Sequence, residues 1–257
     1  MLTEVIAPLS ALDLGLIVFV VALAGFVKGA VGFAMPMIII SGVGSIATAE
    51  LALVTLILST LVSNVWQALR NGPRAAWASA RSQKVYIGVL LIFIAIGAQL
   101  VAFISDRVLF LMLGVVLGSL AFIQLIGVEF RIPPSKRRQA EIGVGTAAGL
   151  VGGISGVWGP PTAIYLTALN TPKVEQMRTQ GVIYGLGALM LTVAHIQSGV
   201  LNASTAPYSA LMVIPALFGM VIGFLAQDRM DQARFRKATL LVLCIASLNL
   251  IRRGLTL

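Results

Sequence analysis

The sequence is poor in charged residues. Only 11% of its 257 residues are Asp, Glu, Lys or Arg, whereas an ordinary soluble domain carries about a quarter. In their place, 58% of the residues are hydrophobic and the mean hydropathy is +0.99. This composition excludes an ordinary soluble domain. We therefore predict an integral membrane protein of the all-α polytopic class.

Cysteine and histidine are almost absent. The single cysteine, Cys244, excludes an intrachain disulfide and a cysteine-based metal cluster. With one histidine and no buried carboxylate pair expected, we predict no metal and no cofactor. His195 is the only obvious side chain for carrying a coupled proton, because imidazole titrates near neutral pH. A packed or interfacial histidine is the commoner alternative.

Basic residues are concentrated between the apolar runs, in segments 70–84, 131–138 and 229–237. Because cytoplasmic loops of membrane proteins carry an excess of Lys and Arg, the net charge of +9 predicts topology and not nucleic-acid binding. Loops 70–84 and 128–140 are expected in the cytoplasm. The N-terminus lacks the basic segment of a signal peptide and is expected outside. Arg252 and Arg253, at a predicted outer end, are the exception to the rule.

Six apolar stretches have about the 20 residues that a spanning helix needs. They are residues 51–69, 85–104, 108–127, 176–197, 208–227 and 235–251.

The sequence contains an internal repeat. Residues 25–36, GFVKGAVGFAMP, align without gaps on residues 149–160, GLVGGISGVWGP, with three shared glycines and a shared proline. The polar linker between the halves predicts a first repeat over 1–127, a cytoplasmic basic linker over 128–140 and a second repeat over 141–257. By the charge rule the halves have opposite orientations, which is typical of secondary transporters.

The segment that carries each motif is too short for two membrane crossings. Residues 141–173 hold about thirty apolar positions, whereas two membrane crossings need roughly forty. Residues 13–50 are likewise too short for two crossings. We interpret both as re-entrant helical hairpins with tips near the midplane. Tilted or partly interfacial full spans are the alternative.

Broken helices at membrane depth are typical of a ligand site. Such backbone is tolerated where it is buried in protein or lines a cavity, and its free amide groups suit an anion. Pro36 and Pro160 fit the first turn of each returning helix. The alternative is that the glycines only let helices pack closely.

The hairpin motifs, their duplication, the basic linker and the length resemble the sulfite exporter TauE/SafE family of membrane permeases, over essentially the whole chain. The resemblance implies a transporter of small sulfur-containing anions, such as sulfite or sulfonates, in the cytoplasmic membrane of a prokaryote. The resemblance indicates neither which anion is transported nor in which direction it moves across the membrane. Lys28 departs from the duplication, because its repeat partner is Gly152.

Lys28 is the most informative single residue, because it is the only basic residue inside an apolar run. A cation at the centre of a spanning helix costs about 2.5–3.5 kcal/mol and usually has a functional partner. We predict that it meets the anion, with snorkelling to a near interface as the alternative. The predicted substrate-binding residues at the two tips are Lys28, Gly29, Gly32, Phe33, Gly152, Gly153, Ser155, Gly156 and Trp158.

Polar residues in the helices after each hairpin are candidates for the substrate path. Ser59, Ser63 and Gln67 share one helix face because they lie four residues apart. Such a face can line a path or join helices by hydrogen bonds. The predicted path residues are Ser63, Asn64, Gln67, Arg178, Gln180 and Tyr184.

The sequence thus predicts a secondary transporter that binds a small anion at the midplane and works by alternating access. A permease or channel for another small anion, such as a carboxylate, is the alternative. An intramembrane enzyme is disfavoured, because no nucleophile motif surrounds Lys28 or Ser155. The expected partners are the anion and the lipid bilayer, together with a proton or sodium ion if import is coupled. A monomer and a homodimer are equally allowed.

Overall fold

The computed structural model describes residues 9–100, 106–128, 131–155 and 158–256. These residues form eleven α-helices and one 3-10 turn, at Pro134–Lys136, and they contain no strand. The predicted all-α class is confirmed. The helices are α1 (Ala11–Val31), α2 (Met35–Ile46), α3 (Ala49–Leu69), α4 (Pro73–Ser82), α5 (Lys84–Leu100), α6 (Asp106–Leu125), α7 (Arg137–Ser155), α8 (Gly159–Ala168), α9 (Lys173–Gln197), α10 (Ala206–Arg229) and α11 (Gln232–Thr256).

All six predicted spans coincide with helices, namely α3, α5, α6, α9, α10 and α11. Among the described residues, five helices are long and apolar enough to cross a membrane: α1, α3, α9, α10 and α11. Helix α5 meets this test together with α4, to which it is joined at a bend of 75°. The chain therefore has the helices of a multi-pass membrane protein.

The first arm of each hairpin is longer than predicted. Helix α1 has 21 residues and its return, α2, has 12; α7 has 19 residues and α8 has 10. The prediction placed the breaks within the glycine-rich stretches, but Gly25, Gly29 and Gly152 remain helical. Helix α1 is long enough to cross a membrane, whereas α2 is much shorter than the roughly 20 residues required. The first hairpin therefore has unequal arms.

The helix starts follow ordinary capping chemistry. Ser10 caps α1, with Asp13 in a reciprocal hydrogen bond, and the Thr48 hydroxyl accepts from the amide of Leu51 at the start of α3. A proline occupies the first turn of α2 and of α8, which confirms the prediction for Pro36 and Pro160. Helix α4 was not predicted, and it occupies most of the expected loop 70–84.

The chain forms two compact units that interleave along the sequence. The first unit comprises residues 1–76 and 180–230, and the second comprises 77–179 and 231–257. Each unit takes helices from both predicted repeats. The division into 1–127, 128–140 and 141–257 concerns sequence repetition and stays a prediction.

In the first unit, α1 packs along α10 with their backbones in contact. A methyl group on Gly25 would overlap the carbonyl of Ala216, and one on Gly219 would overlap the carbonyl of Ala22. Small residues permit such close approach between membrane helices. Helices α2 and α3 complete the unit around an apolar core that includes Ile17, Ile39 and Met212, all nearly or fully buried.

In the second unit, α5 packs along α7 and α6 packs along α11. Glycines again line both contacts. Gly149 lies against the backbone of Leu90 and Ile94, and Gly114 lies against Ser247 and Ile251. Helix α8 packs back on α7.

Candidate functional site

A buried cation lies in the last turn of α1. Lys28 is 1% exposed, and its Nζ donates a hydrogen bond of 2.5 Å to Oδ1 of Asn64 on α3. Asn64 is equally buried. The carbonyl end of α1 carries a partial negative charge, which favours a cation in that turn. The Lys28–Asn64 hydrogen bond was not predicted, and the predicted contact of Lys28 with an anion stays a prediction.

The lysine lacks an acidic partner within the described part of the chain. None of the ion pairs found there includes Lys28. Its other neighbour is an aromatic ring, since Nζ lies 5.7 Å from the ring centre of Tyr184 on α9. A ring face attracts a cation through its quadrupole but leaves the net charge unchanged. An ammonium group at this position therefore has no described carboxylate to neutralise it.

The turn after Lys28 is held in a fixed, left-handed conformation. Gly32 ends α1 with φ +91°, and Ala34 precedes α2 with φ +74°. A left-handed alanine is strained, and strain of this kind is concentrated at functional sites. Nε2 of Gln67 donates to the carbonyl oxygen of Gly32 at 3.2 Å, while Phe33 is 1% exposed. Gln67 thus fixes the hairpin tip from α3.

The polar face of α3 contributes unequally to this region. The Ser63 hydroxyl donates to the carbonyl of Thr60 at 3.1 Å and also contacts the sulfur of Met35. Ser59 and Thr60 are buried, and their hydroxyl groups have no partner among the described residues. Asn64 reaches the lysine, whereas Ser63 joins helices.

Gln180 and Tyr184 lie on α9, in the stretch of that helix that contacts α3. Gly185 lies beside Asn64, and Gly181 lies against the backbone of Gln67 and Ala68. Gln180 and Tyr184 share a helix face because they are four residues apart. Both are buried, and neither amide atom of Gln180 has a partner in the described structure. Of the predicted site residues, eight therefore gather in the first unit: Lys28, Gly32, Phe33, Ser63, Asn64, Gln67, Gln180 and Tyr184.

Gly29 also belongs to the first unit but lies inside α1. A methyl group there would overlap the carbonyl of Met220 on α10. This contact fits the packing alternative for the glycines. Its predicted contact with substrate stays a prediction.

The remaining predicted residues lie in the second unit, apart from His195. Gly152 leaves room for Trp158, whose Cβ would lie 2.9 Å from a methyl group at that position. Trp158 is 9% exposed, and Gly153 is half-buried within α7. The side chain of Ser155 and all of Gly156 lie outside the described residues. The role of these residues in substrate binding stays a prediction.

Arg178 and His195 occupy opposite parts of α9. Arg178 donates from Nε to the hydroxyl of Ser79 on α4 at 2.7 Å, within the second unit. His195 is half-buried in the first unit, and its backbone carbonyl accepts from the amide of Leu201. Their predicted roles in entry and proton coupling stay predictions.

Sequence reasoning missed a buried polar network in the second unit. The rings of Tyr86 and Tyr165 stack with their centres 4.7 Å apart. The Tyr86 hydroxyl lies 2.8 Å from that of Thr162, and Tyr165 donates to Gln83 at 3.2 Å. The sequence feature that could have indicated this network is a tyrosine in each of two apolar runs that lie beside a basic loop.

Two other features of the described residues bear on the location of binding sites. A cavity of about 480 Å³ in the first unit is lined by Asp13 and Glu50 and by no cation, so its charge repels anions. Among the described residues, no group of three His, Cys, Asp or Glu side chains lies close enough to hold a metal ion.

Comparison with known families gives one result. A family model described as sulfite exporter TauE/SafE matches residues 17–250. The match runs from α1 into α11 and includes both hairpins. No curated protein and no solved structure gives a significant match.

Proposed function

Since the chain belongs to the sulfite exporter TauE/SafE family, we propose that it is a secondary transporter of small sulfur-containing anions, and that Lys28 binds the anion. The observation that supports this most is the buried lysine without a carboxylate partner among the described residues. A desolvated cation is expensive, and in membrane proteins it marks a substrate or ion pathway. An oxyanion would supply the missing negative charge.

Asn64 holds the ammonium group while the site is empty of substrate. Its amide oxygen accepts from Nζ but brings no net charge, so it satisfies a hydrogen bond without neutralising the lysine. The ammonium group has three donors, and the substrate oxygens take those that Asn64 leaves. Because a charge-assisted hydrogen bond is stronger than a neutral one, the anion competes well for this group.

The helix packing supports an architecture of two inverted repeats. The sequence contains a second similarity between the halves: placing Asp106-Arg107 on Asp228-Arg229 also aligns Tyr86 with Tyr208 and Gly97 with Gly219. Under this alignment α5 corresponds to α10 and α7 corresponds to α1. Helix α10 packs on α1 in the first unit, and α5 packs on α7 in the second. The repeats thus use the same helix pairing twice.

Alternating access is part of this proposal. In secondary transporters built from inverted repeats, one repeat moves against the other around a fixed site, which then faces each side of the membrane in turn.

The membrane potential bears on the direction of transport. For an interior-negative potential of about 100 mV, moving one negative charge outward gains about 2.3 kcal/mol. Export of a singly charged anion then needs no coupling ion, whereas import needs a proton or sodium ion. We propose export across a prokaryotic cytoplasmic membrane, with the N-terminus outside.

The test is transport into and out of proteoliposomes with labelled sulfite, for wild type and Lys28→Met. Methionine keeps the length of the side chain and removes its charge. We expect the initial rate to fall by at least about 30-fold, because loss of one member of a buried charge pair costs about 2–5 kcal/mol and each 1.4 kcal/mol is a factor of about ten.

The matched control is Lys136→Met, at an exposed lysine of the 3-10 turn, which should transport like wild type. Size-exclusion profiles of all three proteins show whether they are folded. A folded Lys28→Met protein with the wild-type rate would refute the proposed role of the lysine.

A further inference from the structure

We infer that the site around Lys28 selects a singly charged oxyanion that also carries a hydroxyl group, and that Gln180 is the residue that recognises the hydroxyl. This inference rests on the proposed transport of sulfur-containing anions. It adds the charge of the substrate, its second functional group and a specificity residue.

The charge of the substrate follows from the buried charges of the chain. Among the described residues, only two charged side chains are buried, Lys28 and Glu141. Glu141 accepts a hydrogen bond of 3.0 Å from Nε of Arg137, as an ion pair. The buried charge left to compensate is a single positive one. A monoanion neutralises it, whereas a dianion would leave a net negative charge in a medium of low dielectric constant.

The second functional group follows from Gln180. Its side chain is 0% exposed, and both Nε2 and Oε1 lack a partner among the described residues. The two ends of an amide are easily interchanged in a structure, but the conclusion is unaffected because both are unpaired. Buried polar atoms are nearly always hydrogen-bonded, to protein, ligand or ordered water, so both ends of this amide are available to a polar ligand atom.

The position of Gln180 places those ligand atoms beside the lysine. Gln180 lies one helical turn from Tyr184 on the same face of α9, and the Tyr184 ring is 5.7 Å from Nζ of Lys28. The neighbouring Gly181 contacts the backbone of Gln67 and Ala68, one turn along α3 from Asn64. A ligand with its anionic group at Lys28 would have to extend about one helical turn along α9, about 5.4 Å, from Tyr184 to Gln180.

The chemistry of an amide then defines the ligand class. The nitrogen only donates and the oxygen only accepts, so the ligand offers both an acceptor and a donor. A hydroxyl group does both without adding charge. An ammonium group also donates, but it would cancel the negative charge that Lys28 requires. Hydroxyalkanesulfonates and hydrogen sulfite fit this description; sulfate and the sulfite dianion do not.

The experiment measures proteoliposome uptake of labelled 2-hydroxyethanesulfonate, with unlabelled ethanesulfonate or sulfate as competitors. For wild type, we expect ethanesulfonate to compete at least about tenfold more weakly than unlabelled 2-hydroxyethanesulfonate, because a site built to bind a hydroxyl group rejects the analogue without one. Sulfate should compete more weakly still.

The variants are Gln180→Leu, which removes both hydrogen-bonding atoms, and Gln180→Met as a second neutral replacement. In either, we expect the two sulfonates to compete within about twofold of each other, because the discrimination depends on the amide. Gln139→Leu, at an exposed glutamine of α7, is the matched control and should keep the wild-type preference.

Each outcome addresses a different part of the inference. If wild type moves no sulfonate and no sulfite, the proposed function is refuted, and this inference with it. If sulfonates move but sulfate competes as strongly, the monoanion assignment is wrong. If the preference for the hydroxyl compound is absent in wild type, or persists in both Gln180 variants, the role of Gln180 is wrong.

Discussion

The two units use the same helix packing but bury different chemistry at their hairpins. In the first unit, Lys28 of α1 lies against Asn64 with no carboxylate among its described neighbours. In the second unit, the corresponding position of α7 is Gly152, and the space beside it is filled by Trp158. The buried charge of the second unit, Glu141, is paired with Arg137.

This contrast separates architecture from binding. Glycines at corresponding positions, Gly25 and Gly149, contact the backbone of a neighbouring helix in each unit. What recurs in both units therefore belongs to packing. Among the described residues, a buried charge without an ionic partner occurs in the first unit alone, and such charges in membrane proteins mark substrate or ion pathways.

The largest effect is expected from giving the first unit a resident counter-ion, as the second unit has. Asn64→Asp places a carboxylate where the amide oxygen now accepts from Lys28. Because the pair is then neutral, an anion loses its electrostatic advantage. We expect the initial rate of sulfite transport to fall about 100-fold, or about 2.7 kcal/mol.

Asn249→Asp, at a half-exposed position of α11, controls for an added negative charge elsewhere and should have little effect. Transport at the wild-type rate by folded Asn64→Asp would show that the net charge at Lys28 is irrelevant.

The next effect tests the packing that both units share. Gly25→Ala and Gly149→Ala each place a methyl group into the backbone of the facing helix. Overpacking of this kind lowers the free energy of unfolding by about 1–3 kcal/mol. Thermal unfolding of the detergent-solubilised protein should show a lower midpoint for both variants.

Gly15→Ala and Gly143→Ala are the matched controls, because both glycines are helical and a methyl group at either would meet nothing within 4 Å. These two variants should be at least as stable as wild type. Equal behaviour of all four variants would contradict the assignment of Gly25 and Gly149 to packing.

The smallest effect concerns Trp158. Its Cβ and ring edge lie against Gly152, so we assign it a space-filling role. Trp158→Phe keeps an aromatic ring and removes the indole donor, and we expect sulfite transport within about threefold of wild type. Trp158→Ala removes the packing and should be clearly less stable. A large loss of transport in Trp158→Phe would instead indicate that the indole N–H binds the anion.

Features set by local composition could be predicted from the sequence. The helices at the six predicted apolar runs follow from the length of those runs, although α6 is not among the helices that meet the test for a membrane span. Pro36 and Pro160 lie at helix starts because proline is tolerated there. Lys28 was recognised because a cation is costly in an apolar run. Each of these depends on a short window of residues.

Features that depend on contacts between distant segments of the chain could not be predicted from the sequence. Asn64 lies 36 residues from Lys28, and nothing in its own neighbourhood marks it as the partner. Gly29 and Gly152 were expected in the turns, yet both remain helical, and Met220 and Trp158 pack against them. Helix α4 was taken for a loop since its ten residues are polar on one face and too few to span.

The most direct test of the central claim is whether an anion stabilises the protein through Lys28. Thermal unfolding in detergent would be followed at increasing ethanesulfonate concentration, against chloride at equal ionic strength, for wild type and Lys28→Met. A ligand that binds only the folded state stabilises it by about 2.7 kcal/mol at 100 times its dissociation constant. We predict a concentration-dependent rise in the unfolding midpoint of wild type and none for Lys28→Met. An equal rise in both proteins would contradict the account, because the anion would then bind without the lysine.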